Sequence, residues 1–335
     1  MITDARVLTA EFVPRDVEHR HEEIDRLSAA LDPILDDQPG ENAYLFGPTG
    51  AGKTCVARYT LRQLRDRLPG LDAQYVNCWR DGSPFAVRRR LLDAVADTAA
   101  VHRQSTAIDT IRERFRAALD GPFVAVLDEV DQLESTDLLY DLNATREVTL
   151  VLIANREEEL FADLDDRLDS RLRGGVTVRF DRYGVDELGA ILGSRAERGL
   201  EPGAIDGAGL RTIADRAGGD ARVAIDALRA AARAAERRGG EAITDDDLAD
   251  AVPTARSTIR ERRLETLGAH QRAVYEAIRA AGEIAPGPLY EAYSTRVDEP
   301  RSRRMVRNYC AKLDQYGLIR AEGETRDRRY AVVEA

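Results

Sequence analysis

The run Gly47-Pro48-Thr49-Gly50-Ala51-Gly52-Lys53-Thr54 restricts the fold of this chain more than any other stretch. It spells G-x-x-x-x-G-K-[ST]. The apolar segment Asn42–Phe46 precedes it, and a helical pattern from Cys55 to Leu68 follows. Such a loop works only between a strand and a helix. Its glycines let the backbone curl until N–H groups converge on the β- and γ-phosphates of a nucleotide, and the helix dipole adds positive potential at that point. Lys53 supplies a slim point charge and the Thr54 hydroxyl a ligand for Mg²⁺, so ATP with Mg²⁺ is the expected occupant. The lysine is informative in itself. Of the 49 basic residues only two, Lys53 and Lys312, are lysines. A broad, planar guanidinium would not thread the loop.

Apolar bursts alternate with amphipathic segments through the first half. Asn42–Phe46, Gln74–Cys78, Phe123–Leu127, Thr149–Ala154 and Val176–Phe180 read as short buried strands. Cys55–Leu68, Phe85–Ala96, Thr110–Leu119 and Asp137–Leu142 read as helices between them. Alternation of this kind predicts right-handed crossovers and an α/β fold with a parallel sheet covered on both faces. From Gly184 to about Val252 the strand signal vanishes. Helices Val185–Arg198, Asp206–Ala217, Ala221–Arg237 and Thr244–Ala251 follow one another across Gly-containing turns, and Pro253 marks a boundary. The 335 residues, at roughly 150 per domain, then divide into 1–182, 183–252 and 253–335.

The strand Phe123-Val-Ala-Val-Leu127 runs into Asp128-Glu129. Carboxylates at the carboxyl end of a buried parallel strand are costly unless they serve a cation or water. Asp128 is expected to help Thr54 hold Mg²⁺, and Glu129 to polarise the attacking water. Thr149–Ala154 exits at Asn155, whose amide suits positioning that water; an ordinary turn residue is the alternative.

Composition narrows the partners. No apolar run approaches the ~20 residues of a membrane helix, and the start MITDARVLTAEF has no secretory character. Cysteines Cys55, Cys78 and Cys310 are odd in number and widely spaced, fitting a reducing cytoplasm better than a disulfide framework. The net charge is −11, and an acidic, Lys-poor, Arg-rich chain suggests a halophilic source, where surface carboxylates keep a protein dissolved. The acidity is uneven: from Arg256 onward there are 16 basic and 12 acidic residues. A basic tail on an acidic body points to a polyanion partner.

That tail reads as a winged helix-turn-helix. Leu289–Tyr293 and Arg301–Tyr316 are the paired helices, and Leu318–Glu322 with Arg328–Val333 forms the hairpin. In the second helix Val306, Tyr309, Cys310 and Leu313 make a core-facing stripe. The opposite face carries Arg303, Arg304, Arg307 and Asn308, forks for phosphates and guanine edges and an amide for adenine. Arg326, Arg328 and Arg329 at the hairpin tip suit a wing on the DNA backbone. A solvated arginine face on a protein-docking module is the alternative; apolar stripe, basic face and wing together favour double-stranded DNA.

In this order the motifs resemble AAA+ ATPases, and more narrowly the archaeal origin-recognition and replication-initiator family. The resemblance rests on Phe12-Val13-Pro14 with Glu18-His-Arg20-His-Glu-Glu23, the phosphate loop, Tyr75-Val-Asn-Cys78, Leu127-Asp-Glu-Val-Asp131, Asp137-Leu-Leu-Tyr-Asp-Leu142, Leu168-Asp-Ser-Arg-Leu172 and Gly218-Gly-Asp-Ala-Arg222. It implies a sheet domain, a helical lid and a DNA-binding winged helix. It further implies that Val13, Pro14, Arg20 and Cys55 lie near the adenine, that Arg222 reaches the γ-phosphate from the lid, and that Arg171, with Arg167 as second choice, approaches a neighbour's nucleotide. The implied task is slow ATP hydrolysis coupled to marking replication origins and recruiting the minichromosome-maintenance helicase, together with other copies of the chain. Two alternatives stay open: an ATP-switched transcriptional or plasmid-maintenance regulator, and a signal-type NTPase whose winged helix docks onto its own chain.

Overall fold

A computed structural model describes residues 1–99, 101–102, 106–161, 171–172, 174–323 and 327–333, in two compact units, Met1–Val252 and Pro253–Ala335. In the first unit, α1 (His21–Leu31) precedes β1 (Ala43–Phe46), α2 (Lys53–Arg67), β2 (Asp72–Asn77), α3 (Pro84–Leu92), α4 (Ile108–Ala118), β3 (Phe123–Asp128), α5 (Asp137–Asn143), β4 (Val148–Ala154), α6 (Glu157–Phe161) and β5 (Val176–Arg179). The strands pair in parallel in the order β2-β3-β4-β1-β5. This order puts the phosphate-loop strand inside the sheet and leaves β4 between it and the strand that ends in Asp128.

Side chains alternate across the sheet, as a pleat requires. Tyr44, Phe46, Phe123, Ala125, Leu127, Leu150 and Leu152 face one layer, where they pack with Val87, Leu91, Ile111, Phe115 and Leu138. Leu45, Val124, Val126, Val151, Ile153 and Val178 face the other, against Leu27, Leu31, Val56, Leu61 and Leu64 of α1 and α2. Each fully buried side chain of this kind contributes roughly 1.5–3 kcal/mol.

α7 (Val185–Gly199), α8 (Gly207–Ala217), α9 (Ala221–Arg237) and α10 (Asp245–Ala249) complete the first unit. Asp206 caps α8 by accepting from Gly209 N, and Asp220 caps α9 by accepting from Arg222 N and Val223 N. Then α11 spans Ala251–Glu265. It carries Pro253 in its first turn, where the missing N–H has no helical partner to lose. The proline therefore does not break the helix.

The second unit contains α12 (Ala269–Ala281), β6 (Glu283–Ile284), α13 (Pro286–Ser294), α14 (Arg303–Gln315), β7 (Ile319–Glu322) and β8 (Arg329–Val332). Its antiparallel sheet has the order β6-β8-β7, so the expected hairpin gains a third strand. Other elements also depart from the sequence expectation. The chain forms helix α1 over His21–Leu31, of which only His21–Glu23 were read, as part of a motif. α3 stops at Leu92 instead of Ala96; Ala94, Val95 and Ala96 continue the apolar pattern because they still pack on the sheet core from a turn. α13 begins at Pro286, three residues before the expected start.

Candidate functional site

The loop after β1 curls over the start of α2 with Gly50 at φ +79° and Gly52 at φ +98°, a region closed to most side chains. The crowding around them is equally exacting. A Cβ on Gly50 would lie 2.0 Å from Asp220 Oδ1, and one on Gly52 would lie 2.5 Å from the Tyr183 hydroxyl. Lys53, 8% exposed, donates from Nζ to the carbonyls of Gly47 (2.5 Å) and Pro48 (2.9 Å) and to Asn155 Oδ1 (3.1 Å). Asn155 thus meets the loop lysine directly, because β4 is the neighbour of β1 in the sheet. Ala51 N closes the local turn by donating to Pro48 O at 3.3 Å, and Thr49 lies half-buried between them.

Thr54 Oγ1 and Tyr75 Oη each donate to Asp128 Oδ2 at 2.7 Å. Burial, and after it the charge of Asp128, pushes the Tyr75 phenol above its ordinary pKa, so it stays a donor. Glu129 stands next in the chain at φ +55°, ψ 44°. A left-handed backbone costs a non-glycine residue roughly 1–2 kcal/mol, and such strain concentrates where a side chain must be aimed for function. The hydroxyl and carboxylate oxygens of Thr54 and Asp128 form a hard-cation donor pair. They fit Mg²⁺, which takes one or two protein oxygens and completes its shell with water and phosphate.

The helices of residues 183–252 close on this loop. Ala221 N, the first amide of α9, donates to Gly50 O at 3.1 Å, and Tyr183 N donates to Gly219 O at 3.3 Å. Arg222 follows in the first turn of α9, half-buried. The N-terminal segment is fastened alongside. Arg62 of α2 donates to Pro14 O at 2.5 Å and Val13 O at 3.3 Å. Arg20, 6% exposed, donates to Glu23 and to Asp181 O, both at 2.6 Å, and lies 4.1 Å from the centre of the Tyr183 ring. Cys55 is half-buried on α2, its thiol pKa raised by burial. Arg171 is exposed, its guanidinium carbon 5.7 Å from the Tyr140 ring centre. Arg167 lies outside the described residues.

Sequence reasoning singled out the loop, Asp128, Glu129, Asn155 and Arg222, which the fold gathers at one end of the sheet. It missed Tyr75 as the partner of Asp128, Tyr183 and Asp220 as walls against the loop glycines, and the arginines Arg62 and Arg195 that bind the N-terminal segment. Asp220 had a signal, an Asp directly before an Ala-rich helical run; the others are joined by topology alone.

In the second unit, Ser302 caps α14 by accepting from Met305 N at 3.3 Å. Met305, Val306, Tyr309, Cys310 and Leu313 are buried, while Arg303, Arg304 and Arg307 are exposed and Asn308 is half-buried. The Arg303 guanidinium lies 4.3 Å from the Tyr290 ring centre on α13, a contact that orients it without burying it. Tyr293 Oη accepts from Arg301 N at 2.9 Å and sits 2.8 Å from His270 Nδ1, pinning the approach to α14. Arg328 and Arg329 are exposed beside the hairpin, and Arg326 lies outside the described residues. Both lysines of the chain are buried, Lys53 at 8% and Lys312 at 1% exposure.

Residues 17–153 match the AAA ATPase domain and residues 189–252 the Cdc6 AAA+ ATPase-type lid domain. The chain is 44% identical over 336 residues to the ORC1-type DNA replication protein 9 of Halobacterium salinarum, covering 100% of this chain and 95% of that protein. It is 48% identical over 308 residues to ORC1-type DNA replication protein 1 of the same organism, covering 92% and 100%. Among solved structures, the Aeropyrum pernix ORC1 protein in complex with DNA aligns at a TM-score of 0.77 and 30% identity, over 99% of this chain and 93% of that one.

Proposed function

The chain belongs to the ORC1-type DNA replication proteins, AAA+ ATPases, and from that premise we propose that it is an ATP-dependent initiator that binds duplex DNA at replication origins. The observation that carries the DNA reading is the division of α14. One face is buried in the core of its unit, and the other holds Arg303, Arg304 and Arg307 out to solvent within a single helical turn and a half. Guanidinium forks at that spacing suit phosphate oxygens and guanine edges, and Asn308 suits adenine. Arg326 and Arg328 would add backbone contacts from the wing.

Residues 1–182 would bind the nucleotide, 183–252 would act as lid, and 253–335 would grip DNA. The backbone N–H groups of Gly47–Thr54, other than Pro48 which has none, and the Lys53 ammonium would hold the triphosphate, while Val13, Pro14, Arg20 and Cys55 border the base. Thr54 and Asp128 would hold Mg²⁺, which supplies charge neutralisation at the phosphates. Glu129 would accept a proton from the attacking water and Asn155 would orient that water. Arg222, brought to the loop by the Ala221–Gly50 hydrogen bond, would place delocalised positive charge where transfer develops negative charge. Arg171 would do so in a neighbouring copy, which makes hydrolysis depend on assembly on DNA. Recruitment of the minichromosome-maintenance helicase completes this reading, and with DNA as its partner the nucleoid is its place of work. No helix among the described residues is long and apolar enough to cross a membrane.

Footprinting with ATP tests the proposal. Protection is expected over a repeat-rich intergenic region, and Arg304→Ala and Arg307→Ala should each lower the salt slope of binding by about one. Protection confined to promoters, or no duplex affinity even at low salt, refutes it.

A further inference from the structure

Arg195 lies in the middle of α7, 7% exposed. Its Nη1 donates to Val7 O at 2.8 Å and its Nη2 to Phe12 O at 3.0 Å, and its guanidinium carbon stands 5.0 Å from the Phe12 ring centre. Among the described residues no carboxylate pairs with it. A buried cation held only by neutral carbonyls and a ring is costly, so what it holds in place is informative. The two bonds fasten Val7–Phe12 to α7. Directly after that segment, Val13 and Pro14 are fastened by Arg62 to α2, the helix that begins at Lys53. The same guanidinium lies within electrostatic reach of Cys55, the residue after Thr54.

We propose that Arg195 is a positioning residue for the nucleotide base. By strapping Val7–Phe12 to the lid helix, it sets Val13, Pro14 and Cys55 as one wall for a flat, neutral purine ring, apart from the loop that takes the phosphates. The inference deepens the nucleotide reading above and rests on it. It separates two ends of one ligand: the loop amides and Lys53 serve the triphosphate, and the strap serves the base. A residue that acts only on the base end affects ATP and leaves a bare triphosphate alone.

The test measures equilibrium binding of ATP and of inorganic tripolyphosphate to the full chain. Arg195→Met should lose about tenfold in ATP affinity, the factor that 1.4 kcal/mol carries, with tripolyphosphate affinity unchanged. In steady-state hydrolysis its KM for ATP should rise while kcat holds. Arg195→Lys should fall between the two, because an ammonium does not span both carbonyls as a planar fork does. Equal losses for ATP and tripolyphosphate would mean general loosening of the fold and overturn the proposal, as would an ATP-to-tripolyphosphate ratio equal to that of the parent. If Arg195→Met does not fold, Arg195→Lys decides by the same ratio. A parent that binds neither compound defeats the nucleotide reading itself, an outcome distinct from a parent that binds both and a variant that does not discriminate.

Discussion

Gly50→Ala probes the closest approach between the phosphate loop and the helix that carries Arg222. Two costs follow from the structure. At φ +79° an alanine pays the left-handed penalty of roughly 1–2 kcal/mol. Its Cβ would also lie 2.0 Å from Asp220 Oδ1 and 2.3 Å from Cγ, so the carboxylate must swing away. That carboxylate accepts from Arg222 N at 2.9 Å and Val223 N at 3.2 Å, a helix cap worth about 1 kcal/mol. The sum is about 2–3 kcal/mol of lost stability in the first unit. Asp220→Ser separates the two contributions, since serine keeps a capping oxygen on a shorter side chain. Alone it should change little; combined with Gly50→Ala it should recover the share due to the clash, about 1 kcal/mol. Urea unfolding followed by fluorescence measures all four proteins, because the single tryptophan, Trp79, is 4% exposed and lies in the first unit. Additivity of the two changes within about 0.5 kcal/mol, or a cost for Gly50→Ala below that, would refute the claim that Asp220 and the loop share one crowded site.

Three further outcomes follow from the nucleotide site and the lid. Lys53→Ala should abolish nucleotide binding in a filter assay, whereas Glu129→Gln should retain ATP and lose phosphate release by roughly 10²-fold or more; equal turnover in Glu129→Gln and parent would remove Glu129 from its role. In the lid, a hydrogen bond from Arg238 holds the Asp247 carboxyl at about 2. A depressed folded-state pKa means that this contribution to stability is complete above the ordinary carboxylate range near 4 and fades as pH falls from there toward 2. Thermal unfolding of the parent should therefore converge on that of Asp247→Asn across this window, and a constant difference between the two would contradict the assignment.

Much of the site was legible in order along the chain. Gly47–Thr54 and the strand into Asp128-Glu129 lie on the strand–loop–helix and strand end that local pattern placed there, and the run Gly218–Arg222, singled out by resemblance, lies at the start of α9. What escaped reading were partners fixed by adjacency in the sheet. Tyr75 reaches Asp128 because β2 and β3 pair in register, Asn77 beside Asp128, across 53 residues of chain. Asn155 reaches Lys53 because β4 lies against β1. The apolar residues Ala94–Ala96 misled in the opposite direction, since burial against a sheet produces the same pattern whether the backbone is helical or turning.

The amino-acid order alone determined the phosphate loop, the alternation that makes a parallel sheet, the all-helical stretch behind it and the divided face of α14. These follow from steric and hydrophobic rules that act over one or two turns of chain. Tertiary structure alone decided the strand order, the seating of Asp220 on Gly50, and the strap that ties Arg195 to Val7 across 188 residues. Such contacts leave no periodic trace. They arise because packing two faces of one sheet brings distant carbonyls, carboxylates and guanidinium groups within 3 Å or so of each other, where each must find a partner or bear the cost of being buried without one.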